Sequence, residues 1–241
     1  MDKIAVVSGC ASGIGQKCVE KFLKENYYVY GLDVKKCKTS HKFTHINCDV
    51  SDEEQVKNAI KIIQCYYNKI DVLVNVAGIL GKGKKTGLEE QSICDWNYVL
   101  KNNLTSVLIM IKQFIPLLCN NTNGGCIINL SSDQTFQINA KSAPYAVSKA
   151  GINILTKIAA KELYPFNIRV NAIAPSAVRT HFLDELVNSE AMVNQMMESM
   201  NNVMPFGILT PQEIGDIVFF FAATKKITGQ IFLVDSGKLL V

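Results

Sequence analysis

Short runs of β-branched and aliphatic residues alternate with longer segments of helical period along this chain, and that rhythm narrows the fold more than any other feature. The runs are Ile4–Ser8, Tyr28–Asp33, Thr44–Asp49, Val72–Asn75, Cys126–Ser131, Ile168–Ala174 and Ile231–Val234. Each has the length of a buried strand, and the alternation is the one expected when helices cover both faces of a parallel sheet. Between the first two runs, Ile14, Cys18, Val19, Phe22 and Leu23 recur at the spacing that lays one apolar stripe along a helix. Ser51 followed three residues later by Glu54 predicts a capping box, and Val56, Ala59, Ile60 and Ile63 supply the stripe of the helix it opens. No internal repeat or composition shift divides the 241 residues. Single α/β domains often reach such a length, roughly 200–250 residues. The expectation is an α/β fold in one domain over 1–241, a doubly wound sheet of about seven parallel strands in three α/β/α layers.

Composition removes several function classes. The net charge of +4, from 25 basic and 21 acidic residues, is too small to mark a nucleic-acid surface. No run approaches the ~18 consecutive apolar residues of a membrane helix, and Met1-Asp2-Lys3 leads into Ile4 without the pattern of a signal peptide. The expectation is a cytoplasmic protein with neither nucleic-acid nor membrane partners. Eight cysteines form no C-x-x-C pair and read as reduced, core-filling thiols. His41, His45 and His181 are scattered, with no cysteine at ligand spacing, so no metal is expected. Lys82, Lys84 and Lys85 read as a solvated basic loop rather than a site for an anionic substrate.

The first strand-to-helix turn reads Ser8-Gly9-Cys10-Ala11-Ser12-Gly13-Ile14-Gly15. Glycines there let the turn tighten and the backbone approach a pyrophosphate, while the helix N-terminus offers unpaired N–H groups and partial positive charge. Asp33 ends the second run 18 residues after Gly15 (33 − 15). A carboxylate at that place accepts from both ribose hydroxyls of an adenosine and repels a 2′-phosphate. The combination predicts a Rossmann-like dinucleotide site that takes NAD, with NADP disfavoured. Lys35, Lys36 and Lys38 read as a solvated loop that would soften this preference only if one folded back. Asp49-Val50 is placed to touch the adenine, and Asn75-Val76-Ala77-Gly78 ends the fourth run beside the same crevice.

Tyr145 and Lys149 stand four apart at the start of a long helical segment and therefore share a face. An ammonium near a phenol favours the phenolate, so the tyrosine pKa is expected to fall from its unperturbed ~10 toward working pH. Such a group exchanges the proton that an alcohol oxygen must lose as its carbon loses hydride. Ser132 follows the fifth run, at the sheet edge where ligands bind in open α/β folds.

From Ile4 to about Gly237 the sequence resembles the short-chain dehydrogenase/reductase family. The resemblance rests on the glycine turn, Asp49-Val50, Asn75-Val76-Ala77-Gly78, Ser132 standing 13 residues before Tyr145 (145 − 132), Lys149, Arg169-Val170-Asn171-Ala172-Ile173-Ala174-Pro175, and the closing Ile227-Thr228-Gly229-Gln230 and Val234-Asp235. It implies that Ser132 positions the substrate oxygen and that Tyr145 is the general acid/base. By the same resemblance Lys149 binds the nicotinamide ribose, and Asn103, selected over Asn102 by the register from Trp96 to Leu104, helps hold a water that links the lysine to solvent. The implied cofactor contacts are Gly9, Ser12, Gly13, Ile14, Gly15, Asp33, Val34, Asp49, Val50, Asn75, Ala77, Gly78, Tyr145, Lys149, Pro175, Val178 and Thr180. Four positions depart from the family pattern: Ser8 for Thr, Val76 for a second Asn, and Ser176 and Ser236 for Gly. Serine resists backbone angles that glycine adopts, which bears on the loop at Ser176.

The stretch from Arg179 to Met204 corresponds to the family's substrate cover, and Met192, Met196, Met197, Met200 and Met204 there either line a pocket or pack the cover onto the body. The resemblance also implies a homotetramer, or a dimer, with contacts near residues 95–118, 143–163 and the C-terminal segment. The expected activity is NAD-dependent interconversion of a secondary alcohol and a ketone in a small molecule. An NADPH-dependent carbonyl or enoyl reductase is disfavoured by Asp33 and by the lack of a basic residue among Cys10, Ala11 and Ser12. A non-catalytic sensor of NAD(H) is disfavoured by the retention of Ser132, Tyr145 and Lys149.

Overall fold

Alternation of side chains along each strand sends neighbours to opposite faces, and the chain uses both. In the computed structural model, which describes residues 2–81, 86–180, 195 and 198–241, Ile4 and Val6 belong to one apolar cluster while Ala5 and Val7 belong to the other. The strands are β1 (Lys3–Ser8), β2 (Tyr27–Asp33), β3 (Phe43–Asn47), β4 (Val72–Asn75), β5 (Gly125–Leu130), β6 (Ile168–Pro175) and β7 (Ile231–Val234). All pair in parallel, in the order β3-β2-β1-β4-β5-β6-β7. Each expected run is a strand, with ends shifted by at most two residues.

Helices α1 (Gly13–Lys24), α2 (Glu53–Gln64), α3 (Ile93–Leu100), α4 (Ser106–Cys119), α5 (Ala143–Leu163) and α6 (Pro211–Ala223) surround the sheet. Cys18, Val19 and Phe22 of α1 pack with Ile214, Val218 and Phe221 of α6 on one face. Val56, Ile60 and Ile63 of α2, Val107, Met110 and Phe114 of α4 and Ile152 of α5 fill the other. A five-residue π turn, Lys101–Thr105, joins α3 to α4 without a break. The resulting 27-residue helix, Ile93–Cys119, is long and apolar enough to cross a membrane by length and composition, but half of its most apolar stretch is buried. The buried half packs on the sheet through Val107, Met110, Phe114, Leu117 and Leu118.

Two local expectations are corrected. The N-cap of α2 is Asp52, whose carboxylate accepts from the Glu54 and Gln55 backbone N–H groups at 3.0 and 3.2 Å. Ser51 instead donates its hydroxyl to Asp49 at 2.8 Å, so no capping box forms there. Not all cysteines fill the core: Cys10, Cys18, Cys48 and Cys126 are buried, while Cys65 and Cys94 are exposed.

The polar residues of the Arg169–Pro175 motif hold the sheet's far side together. Arg169 donates to the Phe221, Ala222 and Ile227 carbonyls at 2.9, 2.9 and 3.3 Å, which places a cation at the end of α6 where the last carbonyls need donors. Asn171 donates to the Ile227 carbonyl at 2.9 Å and accepts from Gln230 N–H at 3.1 Å.

The two serines that stand for glycine differ. Ser176 needs no positive φ, whereas Ser236 sits at φ +53°. A left-handed non-glycine residue costs roughly 1–2 kcal/mol, and added glycine freedom in the unfolded chain offsets about 0.4–1 of that. Ser236→Gly is therefore expected to stabilise the protein by about 0.5–1 kcal/mol, read as a higher denaturant midpoint with an unchanged slope.

Candidate active site

Strand order reverses between β1 and β4, and the crevice at their carboxyl ends is where open α/β sheets bind ligands. The Ser8 hydroxyl stitches these two ends together by accepting from the Val76 and Ala77 N–H groups at 3.1 and 3.2 Å. Serine thus keeps the hydroxyl that the family's threonine supplies. Gly9 sits at φ +69°, and a Cβ there would lie 3.0 Å from the Ala77 backbone. A Cβ on Gly15 would overlap the Gly9 carbonyl, so α1 can begin directly against the turn only with glycine at that place.

Asp52, Ser92 and Thr210 cap α2, α3 and α6 with their side chains, but Ser12 does not cap α1, and the first turn of α1 carries no acidic residue. Its leading N–H groups and positive dipole end therefore suit an anion. Thr180 arrives from the far end of the chain. A Cβ on Gly13 would lie 3.2 Å from its methyl carbon, and Val178 bridges to Leu209 just before it. Asp33 accepts from Ala11 N–H at 3.0 Å through one oxygen and from Lys35 N–H at 2.8 Å through the other. Each oxygen retains a lone pair for a sugar hydroxyl. An uncapped helix, a glycine turn without side-chain bulk and a two-oxygen acceptor fit a dinucleotide.

Other expected contacts sit differently. Asp49 turns into its own loop, accepting from the Ser51 N–H and hydroxyl at 2.9 and 2.8 Å. Val50 is buried beside it, and Val34 is exposed. The buried Asn75 amide donates to Asn129 at 2.8 Å, and the Asn129 amide to Thr156 at 2.9 Å, a chain running beneath the crevice toward α5. Pro175 ends β6, and Ser176 N–H then donates to Val234 at 2.9 Å. His181, Met192, Met196, Met197, Lys82, Lys84 and Lys85 lie outside the described residues. Met200 and Met204 pack with the α1/α6 cluster.

Ser132, Tyr145, Lys149 and Asn103 converge at the other end of the crevice. Ser132 caps a 3-10 turn, Asp133–Thr135, accepting from Gln134 N–H and donating to the Asp133 carboxylate, both at 3.2 Å. Its hydroxyl also engages the Tyr145 phenol. Lys149 is buried, donates to the Leu130 carbonyl at 2.7 Å and lies 5.7 Å from the centre of the Tyr145 ring. The fully buried Asn103 donates to the Ile79 carbonyl at 2.9 Å and to the Ser148 hydroxyl at 3.1 Å, and accepts from Ile79 N–H at 2.7 Å. Ser148 in turn donates to the Tyr145 carbonyl at 2.7 Å, so Asn103 ties the segment after β4 to the first turn of α5. Asn102 turns back to the Tyr98 carbonyl at 2.8 Å. Gly78 lies between these groups, its missing Cβ 3.3 Å from Asn103 Oδ1 and 3.7 Å from Lys149 Nζ.

The expected fall in the Tyr145 pKa is corrected. Burial pushes it up to about 12, against the pull of the Ser132 hydroxyl and with the Asp133 charge pushing the same way. The ammonium is bound to a backbone carbonyl rather than the phenol oxygen, and burial pushes Lys149 itself down to about 8. Spacing also gave no sign of Asp133 and Lys238. They meet at 2.7 Å across 105 residues and anchor the C-terminal turn beside Ser132. His45, too, has cysteine neighbours in space that its spacing did not show: Cys10 and Cys37.

The Lys149 value lies below its unfolded value near 10.5, so the folded chain gives up this proton first, and its burial penalty is present below pH 8 and fades as pH rises toward 10.5. Lys149→Met is expected to be about 1–3 kcal/mol more stable than wild type at pH 7. This advantage should shrink between pH 8 and pH 10.5 in urea titrations, and turnover should be lost.

Residues 9–238 match the family model described as enoyl-(acyl carrier protein) reductase. The chain is 31% identical over 246 residues to the NAD-dependent glycerol dehydrogenase of Listeria innocua, covering 98% of this chain and 93% of that relative. It is 30% identical to the 3-oxoacyl-(acyl-carrier-protein) reductase FabG of Thermotoga maritima, covering 99% and 98%. Among solved structures, the ligand-free aldohexose dehydrogenase of Thermoplasma acidophilum superposes with a TM-score of 0.91 at 31% identity, over 100% of this chain and 95% of that one. ElxO with NADP bound superposes with a TM-score of 0.88 at 27% identity, over 100% of both. Likeness of this extent, to dehydrogenases and reductases alike, means that the chain belongs to the short-chain dehydrogenase/reductase family and is a nicotinamide-dependent oxidoreductase.

Proposed function

We propose that this oxidoreductase uses NAD to interconvert a secondary alcohol and a ketone. The reading rests on one observation: Ser132, Tyr145 and Lys149 gather at one end of the crevice while the Asp33 carboxylate closes the other. When bound, NAD supplies the hydride acceptor and a positive ring charge that draws the phenol down from its buried value. Tyr145 takes the proton that the alcohol oxygen loses and returns it in the reverse direction. Ser132 gives that oxygen a second hydrogen bond by turning its one hydroxyl proton away from the Asp133 carboxylate, while Gln134 N–H holds the hydroxyl oxygen in place. Lys149, with a value of about 8, is mostly protonated at pH 7 and offers its donors to ribose hydroxyls. Asn103 is a positioning residue that holds α5 against the segment after β4.

Asp33 supports NAD over NADP because a 2′-phosphate would meet a carboxylate already fixed by two backbone N–H groups. Exposed Val147, Ile154 and Ile158 on α5, with Leu108 on α4, support a homo-oligomer of two or four chains. The free thiols in the core support a reducing cytoplasm as the place of work.

NADH and NADPH titrated separately, followed by nicotinamide fluorescence, should show NADH binding about tenfold or more tighter, with the gap narrowed in Asp33→Asn. Tyr145→Phe should keep NADH affinity and lose turnover by about 10²–10⁴. Tighter NADPH binding would move the reading to an NADPH-dependent reductase, and failure to bind either nucleotide would remove it.

A further inference from the structure

Cys10, Cys37 and His45 take no part in the chemistry above, yet the fold collects them from three places. Cys10 belongs to the glycine turn, Cys37 follows β2, and His45 on β3 pairs with Gly31 of β2. The two sulfurs stand 3.8 Å apart, and one donor atom from each of the three residues lies within 4.8 Å of the other two. Cys10 is buried and pinned over Gly31, where even a Cβ would crowd its sulfur, while Cys37 and His45 are half-buried.

A tetrahedral ion with metal–sulfur bonds of about 2.3 Å holds two sulfurs about 3.8 Å apart, so this pair already has the required separation. His45 Nε2 lies 3.2 Å from the Asp33 carbonyl. Donation from Nε2–H to that oxygen leaves Nδ1 with a free lone pair, the way metal-bound histidines are oriented by an outer carbonyl. A divalent cation with two thiolates and a neutral imidazole sums to zero charge, which suits a half-buried place. We propose that Cys10, Cys37 and His45 form a binding site for a thiophilic divalent cation of the zinc class, with water in the fourth position.

A disulfide would leave His45 without a role. Burial raises both thiols, in Cys10 with a further push from Cys37 and Asp33. Disulfide exchange and coordination both need the thiolate, so a bound cation must displace the thiol protons and its uptake should weaken as pH falls. The bound cation would tie the glycine turn to β3 and to the loop after β2, directly behind Asp33. This site stands independently of which nucleotide or substrate the enzyme prefers.

The test uses the full chain, reduced with a non-chelating phosphine, in a Cys65→Ser/Cys94→Ser background that removes the exposed thiols. Equilibrium dialysis against Zn²⁺ or Cd²⁺ should give one cation per chain, with a thiolate-to-cadmium absorption band and a raised thermal midpoint. Cys37→Ser and His45→Asn, both at half-buried positions, should each weaken binding by about tenfold or more. Unchanged binding in both variants, or no bound cation in the background protein, would overturn the proposal. An NADH titration of the same samples keeps a failure of the cofactor reading separate from a failure of this one.

Discussion

The pairing of β1 with β4 is the interaction on which the rest of the molecule depends. From β1 the chain first builds outward through β2 and β3, then crosses back to lay β4 on the other edge of β1. The two connections diverge to opposite sides at the carboxyl ends, and a crevice opens between them. Ser8 and Asn75 finish the paired register side by side. The Ser8 hydroxyl then binds the next two N–H groups of the β4 chain, so the backbone that opens the crevice is also what holds its walls together.

Polar groups buried around this divide are mostly satisfied by other protein groups, and they set the rigidity of the catalytic end. Asn103 uses both ends of its amide on Ile79 and Ser148. Asn129 joins Asn75 to Thr156 across the sheet–helix boundary. Asn75 Oδ1, which accepts no hydrogen bond, and Lys149, whose buried ammonium is received by a single carbonyl, are exceptions. Protein function commonly retains such destabilising groups where chemistry requires them.

The strands were legible because a parallel strand covered by helices is a short apolar run: Val72–Asn75, buried throughout, matches to the residue, and so does the half-buried edge strand Ile231–Val234. The glycine turn and the four-residue spacing of Tyr145 and Lys149 were legible for a similar reason, since local geometry restricts both. Contacts across long sequence separations were not. Nothing near Ser132 announces Lys238, and nothing near His45 announces Cys10. The tyrosine's environment was misread because spacing places an ammonium on the same helix face but does not show that a backbone carbonyl has already claimed it. The cap of α2 failed on a finer scale, with two adjacent side chains competing for the same N–H groups and the carboxylate of Asp52 prevailing over the hydroxyl of Ser51.

The π turn between α3 and α4 makes the helix locally one residue longer than its own hydrogen-bond ladder requires. Removing that residue would restore a regular helix but rotate everything before it by about 100° relative to α4. The sheet-facing residues of α4 and the site-facing end of α3 therefore cannot both be served by an uninterrupted α-helix. Asn103 stands inside the irregular turn, where its amide meets Ile79 and Ser148. A helix that carries a structural face and a working residue at different angular phases thus accommodates both through an insertion.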